Sequence, residues 1–140
     1  MKIIQVVGRS NSGKTTFIRN LIPELKKIGK VGIIKHLGDH DFELESGKDT
    51  TLFFEAGADI ASGIDAHKTV MAIQNNLLDE TLRAYLVYGI DFVVIEGYKE
   101  REYAKIVLGS LEVDRCILKN PTLHEVMQSI QCFDDFLQKS

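Results

Sequence analysis

A glycine-rich segment near the start of the sequence combines residue types that suit polyphosphate chemistry. It runs Gly8-Arg9-Ser10-Asn11-Ser12-Gly13-Lys14-Thr15 and fits the pattern G-x-x-x-x-G-K-[ST]. Glycines in this pattern let the backbone curl so that successive N–H groups point inward, and a following helix N-terminus adds positive potential. We expect the segment to bind the phosphates of a nucleotide. The predicted binding residues are Gly8, Ser10, Asn11, Ser12, Gly13, Lys14, Thr15 and Thr16.

Two residues at the end of this segment, hereafter the P-loop (residues 8–15), have individual predicted roles. Lys14 should reach the β and γ phosphates as a point charge. The hydroxyl of Thr15 should ligate a Mg²⁺ ion bound to those phosphates. The alternative is a glycine-rich turn without function, but the position between an apolar strand pattern and a helix pattern favours nucleotide binding.

A Mg²⁺ ion at the phosphates also needs a carboxylate, and two candidates flank the most apolar strand pattern. Asp91 precedes residues 92–95 and Glu96 follows them. Ligands of parallel sheets bind at the carboxyl ends of the strands, and this strand places Asp91 roughly 16 Å away, at the opposite edge. We therefore expect Glu96 to ligate Mg²⁺, directly or through water, and Asp91 to be a turn residue. The alternative for Glu96 is a solvated carboxylate at a strand end.

The elements that must position these residues follow from the hydrophobic pattern. Residues 2–7 form an apolar, β-branched run, which is typical of a strand buried on both faces of a parallel sheet. Helical spacing over residues 17–28 predicts a helix that contains Pro23 and has Gly29 at its C-cap. A second strand over residues 31–34 completes a parallel strand–helix–strand unit.

The rest of the pattern predicts further short strands and helices. Thr122 and Glu125 form a capping-box pattern that opens a last helix, in which Phe133 and Phe136 should face inward. We expect a three-layer α/β fold of the P-loop NTPase type, with helices on both faces of a mostly parallel sheet, in a single domain over residues 1–140. The other predicted elements are strands at 58–61, 70–73, 92–95, 106–108 and 116–118, and helices at about 49–56 and from Leu77 to near Gly89.

Composition limits the classes of function. The chain has 140 residues, 44% of them hydrophobic, which suffices for one core. A net charge of -3 gives no overall basic footprint for nucleic acid or anionic lipid. Cys116 and Cys132 lack the spacing of a metal or redox pair, and no segment reads as a signal peptide or membrane span. We expect a cytoplasmic protein that binds neither nucleic acid nor membranes.

Further segments stand out beside the P-loop: Lys35-His36, His40-Asp41-Phe42-Glu43, Gly47-Lys48-Asp49-Thr50, Glu55-Ala56-Gly57-Ala58, Glu96-Gly97-Tyr98-Lys99 and Lys105-Ile106. Their order and spacing resemble the MobB family of GTP-binding proteins. The likeness covers roughly residues 1–110 and includes the P-loop. It implies GTP with Mg²⁺, slow GTP hydrolysis, a homodimer, and partnership with the MobA-type guanylyltransferase that joins GMP to molybdopterin. Ala104 stands where the family usually has proline, and the guanine-reading N-K-x-D element is absent, so guanine preference rests on the resemblance alone.

Polar residues outside the P-loop favour a second anionic ligand, for which a pterin phosphate such as that of molybdopterin is suitable. Most of them fall at or beyond the carboxyl ends of predicted strands, where they can converge on one crevice. The alternative for each lysine is a solvated surface charge. Asp41 is expected to help position Mg²⁺ or water, so it joins Lys14 and Glu96 as a predicted catalytic residue. The predicted ligand residues are Lys35, His36, Lys48, Asp49 and Lys99, of which Asp49 has helix capping as an equal alternative.

Other functions remain open at the level of sequence. A small-molecule kinase uses the same loop and metal, but it usually closes a lid that carries arginine, and only Arg9, Arg101 and Arg115 are candidates here. A metallocentre chaperone GTPase is expected to have a cysteine pair or a histidine-rich tract. A nucleotide-binding adapter without turnover is not distinguishable from a slow GTPase by sequence.

Overall fold

The computed structural model describes residues 1–137, which form two compact units. The first unit contains residues 1–36 and the described residues from 81 onward, and the second contains residues 37–80. The prediction of one domain over residues 1–140 stays a prediction, and its last three residues lie outside the described part of the chain. No helix of the described residues is long and apolar enough to cross a membrane.

The helices and strands follow one another along the chain in a fixed order. They are β1 (Lys2–Val7), α1 (Lys14–Lys26), β2 (Val31–Lys35), α2 (Asp49–Glu55), β3 (Ile60–Ile64), β4 (Thr69–Ile73), α3 (Leu78–Val87), β5 (Phe92–Glu96), β6 (Lys105–Val107), β7 (Cys116–Lys119), α4 (Leu123–Gln128), a 3₁₀ turn (Ile130–Cys132) and β8 (Asp134–Asp135).

The first unit is built on a mostly parallel sheet. Its strands lie in the order β2-β5-β1-β6-β7, with every neighbouring pair parallel, and β8 pairs antiparallel with the start of β1. The central strands β1 and β5 are almost entirely buried, as their continuous apolar runs predict. Because β1, β2 and β5 run in the same direction, the segments that follow them leave from the same edge of the sheet.

Helices cover both faces of this sheet. On one face Ile4 belongs to a core cluster that also contains Leu21 of α1 and Val126 of α4. On the other face the ring of Tyr85 in α3 lies against Gly32 of β2, where an added Cβ atom would come within 2.5 Å of a ring carbon. The predicted α/β architecture, a mostly parallel sheet between helices, is confirmed.

The predicted C-terminal end of the first helix is wrong. Helix α1 contains Pro23 as expected, but it ends at Lys26, so Gly29 is not its C-cap. Gly29 instead allows a close approach, because an added Cβ atom would lie 2.8 Å from the Asp91 carboxylate and 2.7 Å from the ring of Phe92. The glycine is explained by packing against the start of β5.

The predicted last helix is too long. Thr122 and Glu125 form the expected capping box, but α4 ends at Gln128 and a 3₁₀ turn follows. Phe133 is buried beyond the helix, and the backbone N–H of Phe136 donates to the carbonyl of Met1 at 2.8 Å. The helical prediction over Phe133 and Phe136 is wrong because this segment extends to pair with the start of β1.

The second unit contains α2 and an antiparallel hairpin of β3 and β4. Strand β3 begins at Ile60 rather than at Ala58, because the backbone N–H of Ala58 is used to close the end of α2 by donating to Phe53. The hairpin turn is closed by Asp65, whose carboxylate accepts from the backbone N–H groups of His67 and Lys68 at 2.7 and 2.8 Å. These two strands form a separate antiparallel sheet.

Candidate functional site

The P-loop connects β1 to α1 in the order that phosphate binding requires. Gly13 is the N-cap of α1 with φ 87°, and Asn11 also has a positive φ of 61°. A side chain at Gly8 is excluded, because an added Cβ atom would lie 2.6 Å from the Ser12 hydroxyl and 2.7 Å from the Leu108 carbonyl oxygen. Gly13 is therefore required for the curvature of the backbone, whereas Gly8 is required for close contact with Ser12 and with the residue that follows β6.

Lys14 folds back over the P-loop. Its ammonium group donates to the carbonyl oxygens of Gly8 and Arg9, both at 2.8 Å. The positive charge is therefore placed within the curve of the loop, beside the N-terminus of α1. A cavity of about 320 Å³ opens here, and its lining residues are Asn11, Gly13, Lys14, Thr15 and Thr16.

Glu96 is the last residue of β5, next to the strand that leads into the P-loop. It lies in register with Val6 of β1 and with Lys35 of β2. Its carboxylate is 3.8 Å from the Lys35 ammonium group, and its side chain is 16% exposed. Strand spacing puts Glu96 about 4.8 Å from β1, at the edge where the P-loop begins.

Asp91 lies at the other end of β5, as its position in the sequence predicts. Its carboxylate accepts from the backbone N–H of Lys30 at 2.8 Å, and its own carbonyl accepts from Lys2 at 2.8 Å. Asp91 therefore connects the starts of three neighbouring strands, and the length of β5 separates it from Glu96.

The segment after β5 brings two further predicted residues together. The ring of His36, directly after β2, stacks on the ring of Tyr98 with centroids 4.1 Å apart and an interplanar angle of 14°. The backbone N–H of His36 also donates to the carbonyl of Glu96 at 2.9 Å. Lys99 is exposed and lines a cleft of about 570 Å³ together with Lys105.

Two buried polar side chains that the sequence reasoning missed organise this segment. Gln5 is fully buried in β1, and its side-chain N–H groups donate to the carbonyls of Gly97 and Tyr98 at 2.7 and 2.6 Å. Lys105 is 1% exposed in β6, and its ammonium group donates to the carbonyls of Arg101 and Tyr103. The signals in the sequence were a glutamine within the apolar run of residues 2–7 and the Lys105-Ile106 segment of the family likeness, neither of which had a predicted role.

Burial of Lys105 also changes its titration. Desolvation is the main cause that lowers the pKa of Lys105 below its usual value, and the nearby Arg115 charge lowers it further. Lys105 and Gln5 are paired in register on adjacent strands, so they emerge on the same face of the sheet. Together they bind the carbonyls of the connection between β5 and β6.

The remaining predicted residues lie in the second unit. Asp49 opens α2, where its charge suits the helix N-terminus, and Lys48 precedes it within 3.5 Å of the Glu45 carboxylate. No side-chain hydrogen bond caps α2. Asp41 is exposed. The grouping of these three residues with the P-loop stays a prediction.

A protein-family comparison matches most of the chain. The model of the family described as "Molybdopterin guanine dinucleotide synthesis protein B", MobB, matches residues 3–130. The chain belongs to the MobB family. The match extends beyond the roughly 110 residues of the predicted likeness and includes α4.

Individual relatives agree with the MobB assignment. The chain is 37% identical over 117 residues to the probable molybdopterin-guanine dinucleotide biosynthesis adapter protein of Bacillus subtilis, covering 80% of this chain and 67% of the relative. It is 36% identical over 108 residues to the adapter protein of Escherichia coli, covering 71% and 60%. The match to a putative adapter protein of Methanocaldococcus jannaschii, 39% identical over 101 residues, covers 71% of this chain and 42% of the relative.

Solved MobB structures share the fold. The Bacillus subtilis MobB crystal structure superimposes with a TM-score of 0.67 at 30% identity, covering 85% of this chain and 77% of that chain. A MobB homologue from Bacillus stearothermophilus has a TM-score of 0.62 and covers 94% of both chains, and at 22% identity it supports the fold alone.

Gly97 of this MobB chain is expected to tolerate no side chain. Its φ is 96°, and an added Cβ atom would lie 2.9 Å from the Cβ atom of His36. Gly97→Ala should therefore lower the free energy of unfolding by about 2 to 5 kcal/mol, the sum of left-handed strain and a forced shift. Urea unfolding measures this change.

The matched control for Gly97→Ala is Gly38→Ala. Gly38 has φ 63°, but no heavy atom lies within 4 Å of an added Cβ atom there. Only the left-handed strain remains, about 1 kcal/mol. Equal losses in the two variants would show that the contact with His36 does not constrain Gly97.

Proposed function

We propose that this MobB-family chain binds GTP with Mg²⁺ through its P-loop and acts as an adapter in synthesis of the guanine dinucleotide form of the molybdenum cofactor. The observation that carries the proposal is the P-loop geometry, a buried strand and a helix N-terminus joined by a curved loop that holds the Lys14 ammonium group. The names of the relatives, molybdopterin-guanine dinucleotide biosynthesis adapter proteins, supply the pathway.

Two residues suit a Mg²⁺ ion at the bound phosphates. Thr15 lies in the first turn of α1 with an exposed side chain, and Glu96 supplies the carboxylate at the end of the neighbouring strand. Both are oxygen donors, which Mg²⁺ prefers. The ion would neutralise charge on the β and γ phosphates. Lys35 holds the Glu96 carboxylate at this edge before the metal arrives.

Lys14 has the central role among the side chains. In the proposed complex its ammonium group exchanges the carbonyls of Gly8 and Arg9 for oxygens of the β and γ phosphates, which are stronger, charged acceptors. Hydrolysis of GTP would be slow, since apart from Asp41 the sequence provides no evident residue that orients an attacking water. Asp41 is the proposed aid to water or metal positioning.

The same edge of the sheet suits a second anionic ligand, which we propose to be molybdopterin. Lys35 is the last residue of β2, His36 directly follows it, and Lys99 follows β5 at its carboxyl end. Lysine and histidine side chains at such an edge attract a phosphate group. Lys48 and Asp49 complete the proposed set of ligand residues.

The proposal includes a homodimer and a MobA-type guanylyltransferase as partner, in the cytoplasm. Support for a protein interface comes from the second unit, where the hairpin of β3 and β4 exposes large apolar side chains. A patch of this kind is costly to leave in water. Its residues, which share one face of the hairpin, are Ile60 at 55%, Ile64 at 79%, Met71 at 42% and Ile73 at 46% exposure.

The decisive experiment compares GTP with ATP. The purified protein, with and without Mg²⁺, is expected to bind GTP more tightly than ATP and to release phosphate slowly. Added to the guanylyltransferase at limiting molybdopterin, it should raise the yield of the guanine dinucleotide cofactor. The control is the guanylyltransferase with nucleotide alone.

Two outcomes would contradict the proposal. Rapid transfer of phosphate from ATP to a small hydroxyl acceptor would make the chain a kinase. An unchanged cofactor yield at limiting molybdopterin would leave nucleotide binding without the adapter role.

A further inference from the structure

Two stacked rings lie at the carboxyl edge of the sheet, beside Glu96. We call them the His36–Tyr98 pair. Their centroid distance of 4.1 Å and interplanar angle of 14° define a nearly flat, parallel stack. His36 is exposed whereas Tyr98 is half-buried, so the histidine is the outer ring of the pair. A parallel stack with an exposed outer ring offers an aromatic face to a further planar group.

The inner ring is held by an unusual backbone conformation. Tyr98 has φ 52°, which a bulky side chain rarely adopts, and Gly97 before it has φ 96°. The fully buried Gln5 donates one hydrogen bond to the carbonyl of each of these residues. Left-handed strain of this kind persists only where surrounding groups enforce it, and it clusters at ligand sites. Gln5 therefore fixes the direction in which Tyr98 leaves the strand.

The His36–Tyr98 pair lies at a different place on the sheet edge from the one expected for the nucleoside of GTP. Strand β5 lies between β1, which leads into the P-loop, and β2. In the proposed GTP complex Glu96 of β5 would be a ligand of the Mg²⁺ ion. This would place the phosphate end of the nucleotide, rather than its base, next to β5. A ring bound on the His36–Tyr98 pair belongs to a second ligand.

We propose that the His36–Tyr98 pair is a stacking site for the fused planar ring of a pterin, and that Gln5 is the positioning residue for Tyr98. The identity of the ligand rests on the proposed function. Flat heteroaromatic rings bind to aromatic side chains by offset stacking, which tolerates many substituents. Lys35 directly precedes His36 and Lys99 directly follows Tyr98, so both ring-bearing segments also carry positive charge for an anionic group on the pterin.

Binding of a simple pterin tests the stacking site. The probe is pterin-6-carboxylate, which carries a fused ring and one anionic group, and its fluorescence reports binding to the full chain with GTP and Mg²⁺ present. His36→Leu removes the outer ring and is expected to weaken pterin affinity about 2- to 12-fold, the range of an aromatic stack. Tyr98→Leu removes the ring behind His36 and should also weaken pterin affinity, while GTP affinity stays unchanged.

Tyr88→Leu is the matched control for Tyr98→Leu. Tyr88 is 65% exposed in the same unit, but it precedes β5 and so lies at the opposite edge of the sheet. Pterin affinity in this variant should equal that of the parent. Equal pterin affinity in parent and Tyr98→Leu, or no pterin binding to the parent, would overturn the proposal. Displacement of the probe by guanosine, with weaker GTP binding in Tyr98→Leu, would assign the rings to the nucleobase instead.

A ligand-free measurement tests the role of Gln5. The ring current of Tyr98 should shift the His36 ring protons upfield in the NMR spectrum of the parent. Gln5→Met, which keeps side-chain length and removes the donor, should abolish this shift as Tyr98→Leu does, whereas Tyr88→Leu should retain it. Should Gln5→Met fail to unfold cooperatively, Gln5→Leu removes the donor with a second apolar side chain of similar size.

The outcomes separate the inference from the proposed function. A retained His36 shift in a folded Gln5 variant would overturn the positioning role. Failure of the parent to bind GTP in the same samples would contradict the proposed function, while the His36 shift and the affinity for the pterin probe would still test the ring pair.

Discussion

Replacing Lys14 with alanine is expected to weaken GTP binding roughly 10- to 150-fold. The substitution removes a charge-assisted contact to the β and γ phosphates, which is worth about 1.5 to 3 kcal/mol. The ammonium group is already placed within the curve of the P-loop by the carbonyls of Gly8 and Arg9, so little ordering is required for it to reach a phosphate. Isothermal titration with GTP and Mg²⁺ measures the change.

A second lysine of α1 provides the matched control. Lys26 is exposed in the last turn of the helix, about 18 Å along its axis from Lys14. Lys26→Ala alters the net charge by the same amount and should leave GTP affinity within a factor of about two. If both variants lost GTP affinity equally, the Lys14 ammonium group would act only through the net charge of the protein and not through a contact with the phosphates. Thermal unfolding of Lys14→Ala checks that the loop itself is intact.

Replacing Glu96 with glutamine is expected to reduce Mg²⁺ affinity in the GTP complex roughly 10- to 100-fold, the range for residues that support a metal directly or through water. Glutamine keeps the size and hydrogen bonding of the side chain but removes its charge. Binding of GTP without Mg²⁺ should change much less. The measurement is GTP affinity as a function of Mg²⁺ concentration.

Two controls isolate the carboxylate of Glu96. Lys35→Met removes the same ion pair, 3.8 Å long, but leaves the carboxylate in place, so Mg²⁺ dependence should persist. Asp91→Asn changes a carboxylate at the far end of β5, where it accepts from the backbone N–H of Lys30, and metal dependence should again be unaffected. Loss of Mg²⁺ dependence in Asp91→Asn with a normal Glu96→Gln would require withdrawal of the metal assignment.

The parts of the site that sequence could predict depend on short stretches of chain. The P-loop is one continuous segment between a strand pattern and a helix pattern. Residues 2–28 alone were therefore enough to predict the strand before it and the helix after it. The choice between Asp91 and Glu96 needed only the length and direction of one strand. The structure confirms that these two carboxylates lie at opposite ends of β5. Their roles toward metal stay predictions.

The parts that sequence missed depend on contacts between distant segments. Gln5 binds carbonyls of Gly97 and Tyr98, more than ninety positions along the chain. Backbone carbonyls carry no sequence signature, so nothing marks them as partners of a glutamine. The same reason explains the overlong last helix, because helical spacing through Phe133 and Phe136 could not reveal that the segment pairs with β1.

The tyrosine of α3 protects an edge of the main sheet against uncontrolled self-association. Within residues 1–137, strand β2 has a neighbour on one side only. The hydrogen bond from the His36 N–H to the Glu96 carbonyl fixes which carbonyls of β2 face β5, so the carbonyl of Ile33 faces outward. The Tyr85 hydroxyl, which is protonated at neutral pH, donates to this carbonyl at 2.7 Å, and burial raises the pKa of Tyr85 further. A foreign strand that approaches β2 finds one of its acceptors already occupied, which disfavours growth of the sheet into fibrils.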